Sequence, residues 1–76
     1  MKIKLFTSTN CRHCKRIKEE LDKIDVEVEY ININDDEGLQ QALSYGIGVV
    51  PTIIYNDTET ITGFKTSEEL KIILKV

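Results

Sequence analysis

Cysteine, proline, glycine and tryptophan are all scarce in this chain, at two, one, four and none among 76 residues. A small secreted domain that lacks an adequate core usually spreads several cysteines through its length as staples. Here both stand together, as Cys11 and Cys14, which argues against a disulfide scaffold. So little proline and glycine excludes a collagen-like or low-complexity chain, and 41% hydrophobic with 30% charged residues is the balance of a folded domain. Long apolar runs are missing too. The longest, Ile47 to Tyr55, is broken by Gly48 and Pro51, whereas a membrane span takes about 20 apolar residues. The opening Met1-Lys2-Ile3-Lys4-Leu5-Phe6 turns polar at Thr7 and has no signal-peptide core, so a cytoplasmic protein is expected. Positive charge is also in deficit, with 10 Lys and Arg against 13 acids and a net charge of -3. No basic block exceeds two or three residues, so nucleic acid is not an expected partner. With no repeat and no linker, residues 1–76 read as one small, soluble, acidic domain.

Periodicity supplies the order of elements. Ile3 and Leu5 alternate with Lys2 and Lys4, and Phe6 closes a first strand. After the polar loop Thr7 to Asn10, the apolar positions Cys14, Ile17, Leu21 and Ile24 recur at three- and four-residue steps, with charges on the opposite face. That predicts an amphipathic helix from Cys11 onward, with Asn10 or Thr9 as its cap. Residues 26 to 33 return to a period of two and predict a second strand, parallel to the first because a helix connects them. Asp35 begins a short second helix whose inner face is expected to be Leu39, Ala42 and Leu43, ended by Gly46. Thr52 to Tyr55 reads as a third strand, Asn56-Asp57 as a turn and Thr58 to Thr62 as its hairpin partner. Thr66 with Glu69 is a capping-box pattern, opening a last helix that turns Leu70, Ile73 and Leu74 inward. The order is β-α-β-α-β-β-α, an α/β fold.

Three residues apart in the first turn of a helix, two cysteines can reach disulfide geometry while the first stays at the exposed end. Unpaired backbone N–H groups there favour a thiolate at Cys11, and Arg12, His13, Lys15 and Arg16 add positive potential. A thiol with pKa near 8.5 is only about 3% thiolate at neutral pH, and lowering it to about 6.5 makes the thiolate the major form. Cys14, on the inner face, is expected to stay protonated until Cys11 has formed a mixed disulfide, which Cys14 then resolves. A zinc site needs about four ligands, and only His13 could join these two; an iron–sulfur cluster would need ligands from elsewhere. A zinc- or cluster-binding adaptor is therefore the reading from another class, and no metal is expected. His13 is either a solvated imidazole or a group that tunes Cys11. Pro51 either starts an edge strand or forms a cis turn. Tyr30, Tyr45 and Tyr55 read as packing, and Asp35-Asp36-Glu37 as helix capping.

The Cys-x-x-Cys pair after the first strand, Val50-Pro51-Thr52 before the third and Gly63 after the fourth resemble the thioredoxin and glutaredoxin superfamily across essentially the whole chain. Stretches such as Leu5-Phe6-Thr7-Ser8, Val28-Glu29-Tyr30-Ile31-Asn32 and Tyr45-Gly46-Ile47 are most similar to the small, glutaredoxin-sized thioredoxins of archaea and some bacteria. The resemblance implies a thioredoxin-like fold, a four-stranded mixed sheet flanked by three helices. It implies a thiol–disulfide oxidoreductase with Cys11 as nucleophile and Cys14 as resolving thiol, while Arg12 and His13 are candidate tuning residues by their place beside Cys11. Substrate would meet Val50, Pro51, Thr52 and Gly63, with Pro51 in cis, Val50 offering its backbone to an extended segment and Gly63 leaving room. No cofactor is implied beyond the redox-active Cys11–Cys14 disulfide. The partners would be protein disulfides and a reductase like thioredoxin reductase, met by a monomer.

Departures from the family pattern carry their own expectations. Arg12 stands where proline often follows the nucleophile, which loosens the first turn and adds charge. Ser8 stands where a glutaredoxin places a basic residue for glutathione, and Phe64-Lys65-Thr66 replaces an acidic pair, so glutathione fits less well as electron donor. Lys65 with the helix start at Thr66 remains a candidate for attracting a carboxylate. A glutathione-dependent glutaredoxin or a ribonucleotide-reductase redoxin is the near alternative.

Overall fold

In β1 (Lys2–Thr7), Ile3 and Leu5 point to one face of the sheet and Phe6 to the other, so a single strand feeds two cores. The computed structural model describes every residue from Met1 to Val76 and continues with α1 (Arg12–Leu21), β2 (Glu27–Asn32), α2 (Asp36–Ser44), β3 (Thr52–Tyr55), β4 (Glu59–Thr62) and α3 (Ser67–Leu74). The expected order and the mixed sheet are both present. The strands lie in the order β2-β1-β3-β4, with β1 parallel to β2 and antiparallel to β3, and β3 antiparallel to β4. The larger core joins Ile3, Leu5, Ile53 and Ile61 to Ile17 and Leu21 of α1 and Leu70 and Leu74 of α3. The smaller one sets Phe6, Ile31 and Ile54 against Ala42 of α2. No helix is long and apolar enough to cross a membrane.

Local chemistry sets the element ends. Asn56 and Asp57 both take left-handed backbone, φ 52° and 65°, the pattern of a tight hairpin turn whose twist matches the strands. Thr66 caps α3 reciprocally: its Oγ1 accepts from the Glu69 N–H at 3.2 Å, and Glu69 Oε1 accepts from the Thr66 N–H at 3.1 Å. Gly46 follows α2 at φ 70°, which glycine adopts without steric cost, and the Ile47 N–H closes back on the Ala42 carbonyl at 2.9 Å.

Two expectations need correction. The first helix stops at Leu21, where Asp22 and Lys23 donate back to the carbonyls of Lys18 and Glu20; Ile24 is buried from the following turn, outside the helix. The inner face of α2 is also not Leu39, Ala42 and Leu43. Gly38 and Ala42 are the buried residues, whereas Leu39 keeps 45% and Leu43 68% of their exposure. The reason is close approach: Gly38 lies so near the Asn32 carbonyl of β2 that a Cβ would collide with it. Helix and strand meet backbone to backbone along Gly38 and Ala42, which turns the two leucines outward.

Candidate redox site

The register Phe6↔Thr52 sets the loop after β1 beside the segment entering β3, and Thr52↔Thr62 brings the residue after β4 to the same end of the sheet. Cys11 to Cys14, Val50 to Thr52 and Gly63 therefore gather there. The loop carrying the cysteines is tied down by residues that periodicity does not mark. The Ile33 N–H donates to the Thr7 carbonyl at 2.8 Å, extending the β1–β2 pairing. Thr9 donates to Asn34 Oδ1 from both its N–H, at 2.8 Å, and its hydroxyl, at 3.1 Å. Asn32 Oδ1 in turn accepts from the Asn34 N–H at 2.8 Å. The only sequence signal of this clasp is the pair of asparagines, good formers of local side-chain-to-backbone turns, at the end of β2.

With Thr9 so engaged, the cap of α1 is neither Thr9 nor Asn10. Cys11 itself holds the N-cap position with extended backbone, and its Sγ accepts from the Cys14 N–H at 3.1 Å. A sulfur at this place sits at the positive end of the helix. Cys11 and Cys14 are joined in a disulfide with Cα atoms 5.2 Å apart. The two sulfurs differ in access, Cys11 being half-buried and Cys14 only 2% exposed.

Around them the surface is cationic. Arg12, His13, Lys15 and Arg16 are all exposed, and the ion pairs of the chain are elsewhere, at Lys2–Glu29 and Lys23–Glu20. The Arg16 guanidinium lies over the Phe64 ring, 4.5 Å from its centroid, which links α1 to the segment after Gly63. An open cavity of about 300 Å³ is lined by Thr9, Asn10, Cys11, Arg12 and Lys15.

Opposite them, the Val50–Pro51 peptide is cis and Pro51 is buried. Its carbonyl accepts from the Gly63 N–H at 2.9 Å. The Thr52 hydroxyl donates to the Val49 carbonyl at 2.7 Å, so this side chain shapes the turn. The N–H and C=O of Val50 make no backbone hydrogen bond within the chain. Gly63 has φ 79°, and a Cβ there would meet no atom of the chain, so backbone conformation is what calls for glycine.

The carboxylate site expected at Lys65 and the start of α3 is already filled from within. Glu69 takes the Thr66 N–H, and Glu20 Oε1 takes the Ser67 N–H at 2.8 Å. The Lys23 ammonium, and then the Ser67 N–H, hold the Glu20 carboxyl below its ordinary value of 4.5. The Thr66 N–H does the same for Glu69. Tyr45 packs edge-on against Phe6, but Tyr30 departs from the packing expectation: it is half exposed, with the Lys18 ammonium 5.1 Å from its ring centroid.

The glutaredoxin family model matches residues 3–59. The chain is 40% identical to a thioredoxin of Methanocaldococcus jannaschii over 81 aligned positions, covering 99% of this chain and 93% of that one. It is 38% identical to a probable thioredoxin of Archaeoglobus fulgidus, over 96% of this chain and 85% of the relative. Among solved structures, the glutaredoxin-like NrdH-redoxin of Escherichia coli superposes with a TM-score of 0.68 at 26% identity, over 86% of each chain.

Proposed function

Because the chain belongs to the glutaredoxin family, within the thioredoxin-like oxidoreductases, we propose that it reduces protein disulfides with Cys11 as nucleophile and Cys14 as resolving thiol. It is a thiol–disulfide oxidoreductase, and the observation that carries the division of labour is the unequal access of the two sulfurs. In the reduced protein the helix N-terminus and the neighbouring cations favour the thiolate at Cys11. That thiolate attacks one sulfur of a substrate disulfide, forming a mixed disulfide and expelling the other substrate sulfur as thiolate. The buried Cys14 then gives its proton to the first substrate thiolate and attacks Cys11 Sγ, breaking the mixed disulfide and expelling the second substrate sulfur as a thiolate that takes a proton from water. The substrate leaves as a dithiol, two electrons richer, and the Cys11–Cys14 disulfide is restored.

Val50 supports the reading of a substrate groove, because its unpaired N–H and C=O can add an extended substrate segment as a short strand beside cis-Pro51. Arg12 acts on Cys11 through its charge, and His13 tunes it only when protonated. The dithiol pair needs no further cofactor. A reductase resembling thioredoxin reductase returns the two electrons, and the protein works as a cytoplasmic monomer. A second reading, recycling by glutathione, is favoured by the family match; recharging by glutathione and glutathione reductase alone would establish it.

Trapping tests the roles. Cys14→Ser is expected to accumulate a mixed disulfide with a protein substrate, visible by intact mass and released by a small dithiol, and Cys11→Ser is expected to abolish turnover. A Cys11→Ser protein that reduces substrate at the wild-type rate would refute the assignment.

A further inference from the structure

The charge of this chain is segregated around its reactive sulfur. Arg12, Lys15 and Arg16 place three cations in five residues without an acid, leaving seven bases against thirteen acids elsewhere. All three are exposed and none lies within ion-pairing distance of a carboxylate, so their field is not cancelled locally. Arg16 is held in place instead by Phe64. Lys15 lies four residues after Cys11, one helical turn away, which sets it on the same side of α1. Both line the open cavity together with Arg12, Thr9 and Asn10, so that cavity has cationic and polar walls beside the reactive residue.

We infer that this surface selects protein disulfides whose cysteines are flanked by acidic side chains, a carboxylate of the substrate entering the cavity between Arg12 and Lys15. The inference rests on the oxidoreductase reading and adds the substrate class to it. A carboxylate one or two residues from the attacked cysteine reaches the cavity while the neighbouring backbone lies along Val50. Like charge is turned away by the same field: a basic flank meets three unpaired cations. The selection acts mainly on encounter and so weakens with salt.

The test uses three cyclic peptides, each with one disulfide and differing only in having Glu, Gln or Lys beside one cysteine. Pre-reduced protein is mixed with each under anaerobic single-turnover conditions. Every rate is divided by that peptide's rate with dithiothreitol, which removes intrinsic differences in disulfide reactivity. At low ionic strength the Glu peptide is expected to react at least about fivefold faster than the Gln peptide and the Lys peptide slower, with the spread collapsing toward unity at high salt. Lys15→Glu should bring the Glu-to-Gln ratio to unity or below, and Lys15→Arg should restore it. A change acting only on the Cys11 thiolate would scale all three peptides alike and leave the ratio unmoved. A ratio near unity in the wild-type protein, or one that survives Lys15→Glu, overturns the inference while leaving the oxidoreductase reading intact. Failure to reduce even the Gln peptide overturns that reading and the inference together.

Discussion

Replacing Gly38 and Leu43 of α2 by alanine should invert the ranking that hydrophobic pattern alone suggests. Leu43 retains 68% of its exposure, so about a third of its surface is removed from water. Full burial of a leucine contributes about 1.5–3 kcal/mol, a third of which is about 0.5–1 kcal/mol, and the better helix propensity of alanine offsets part of the loss. Leu43→Ala is therefore expected to cost about 0.5 kcal/mol, whereas a true core leucine would cost about 2–5 kcal/mol. At Gly38 a Cβ would land on the Asn32 carbonyl, which is backbone and cannot swing aside. Overpacking of this kind costs about 1–3 kcal/mol, against a gain of about 1 kcal/mol from removing a helical glycine. Because the blocking atom is backbone, the upper half of that range, about 2–3 kcal/mol, applies, and the expected net loss is about 1–2 kcal/mol. Urea unfolding of the oxidised proteins followed by far-UV circular dichroism reads both values; with a slope of about 1 kcal/mol/M the midpoint should fall by about 1–2 M for Gly38→Ala. For Leu43→Ala the fall should stay under about 1 M. A loss above about 2 kcal/mol for Leu43→Ala, or a stabilised Gly38→Ala, would refute the close helix–strand approach.

Three further outcomes follow from the same contacts. Thr66→Ala removes the capping box of α3 and should cost about 1 kcal/mol in the same unfolding assay. Glu20 and Glu69 have folded-state carboxyls held below 4.5, so their contribution is present above that value and is lost as pH falls through the depressed folded value. The Glu20→Gln, Glu69→Gln double variant should accordingly show a flatter loss of thermal midpoint on acidification from pH 5 downward, and an unchanged slope would contradict the two hydrogen-bonded carboxylates. Asn34→Ala leaves the Thr9 N–H without its acceptor, and is expected to cost about 1 kcal/mol and to slow disulfide reduction because the Cys11 loop loses its tie to β2. Stopped-flow reduction rates beside unfolding curves check both effects.

Much of this architecture is legible wherever a side chain announces its own environment. Ile17 and Leu21 mark the inner stripe of α1, Asn56-Asp57 marks the hairpin, and Thr66 with Glu69 marks the start of α3. The reactive pair is legible because its spacing places both sulfurs in one helical turn. What periodicity missed lies where the decisive atom belongs to the backbone. In a nine-residue helix, Leu39 with Leu43 and Gly38 with Ala42 are equally regular stripes about 100° apart, and the choice between them depends on a glycine that has no side chain to signal packing. The cap of α1 escaped notice for a related reason. Thr9 and Asn10 are stronger capping types than cysteine, but the Thr9 hydroxyl is drawn toward Asn34, a residue 25 positions along the chain. Such a contact exists only once β1 and β2 have paired.

Equilibrium redox titration decides whether Cys11 and Cys14 work as a reducing dithiol pair, with free thiols counted at each potential by alkylation and intact mass. Cys11 and Cys14 are expected to oxidise together in one two-electron step near about -270 mV, the range of a disulfide reductant. A midpoint at about -120 to -180 mV would contradict the reducing direction, and thiols that never form an internal disulfide would contradict the mechanism itself.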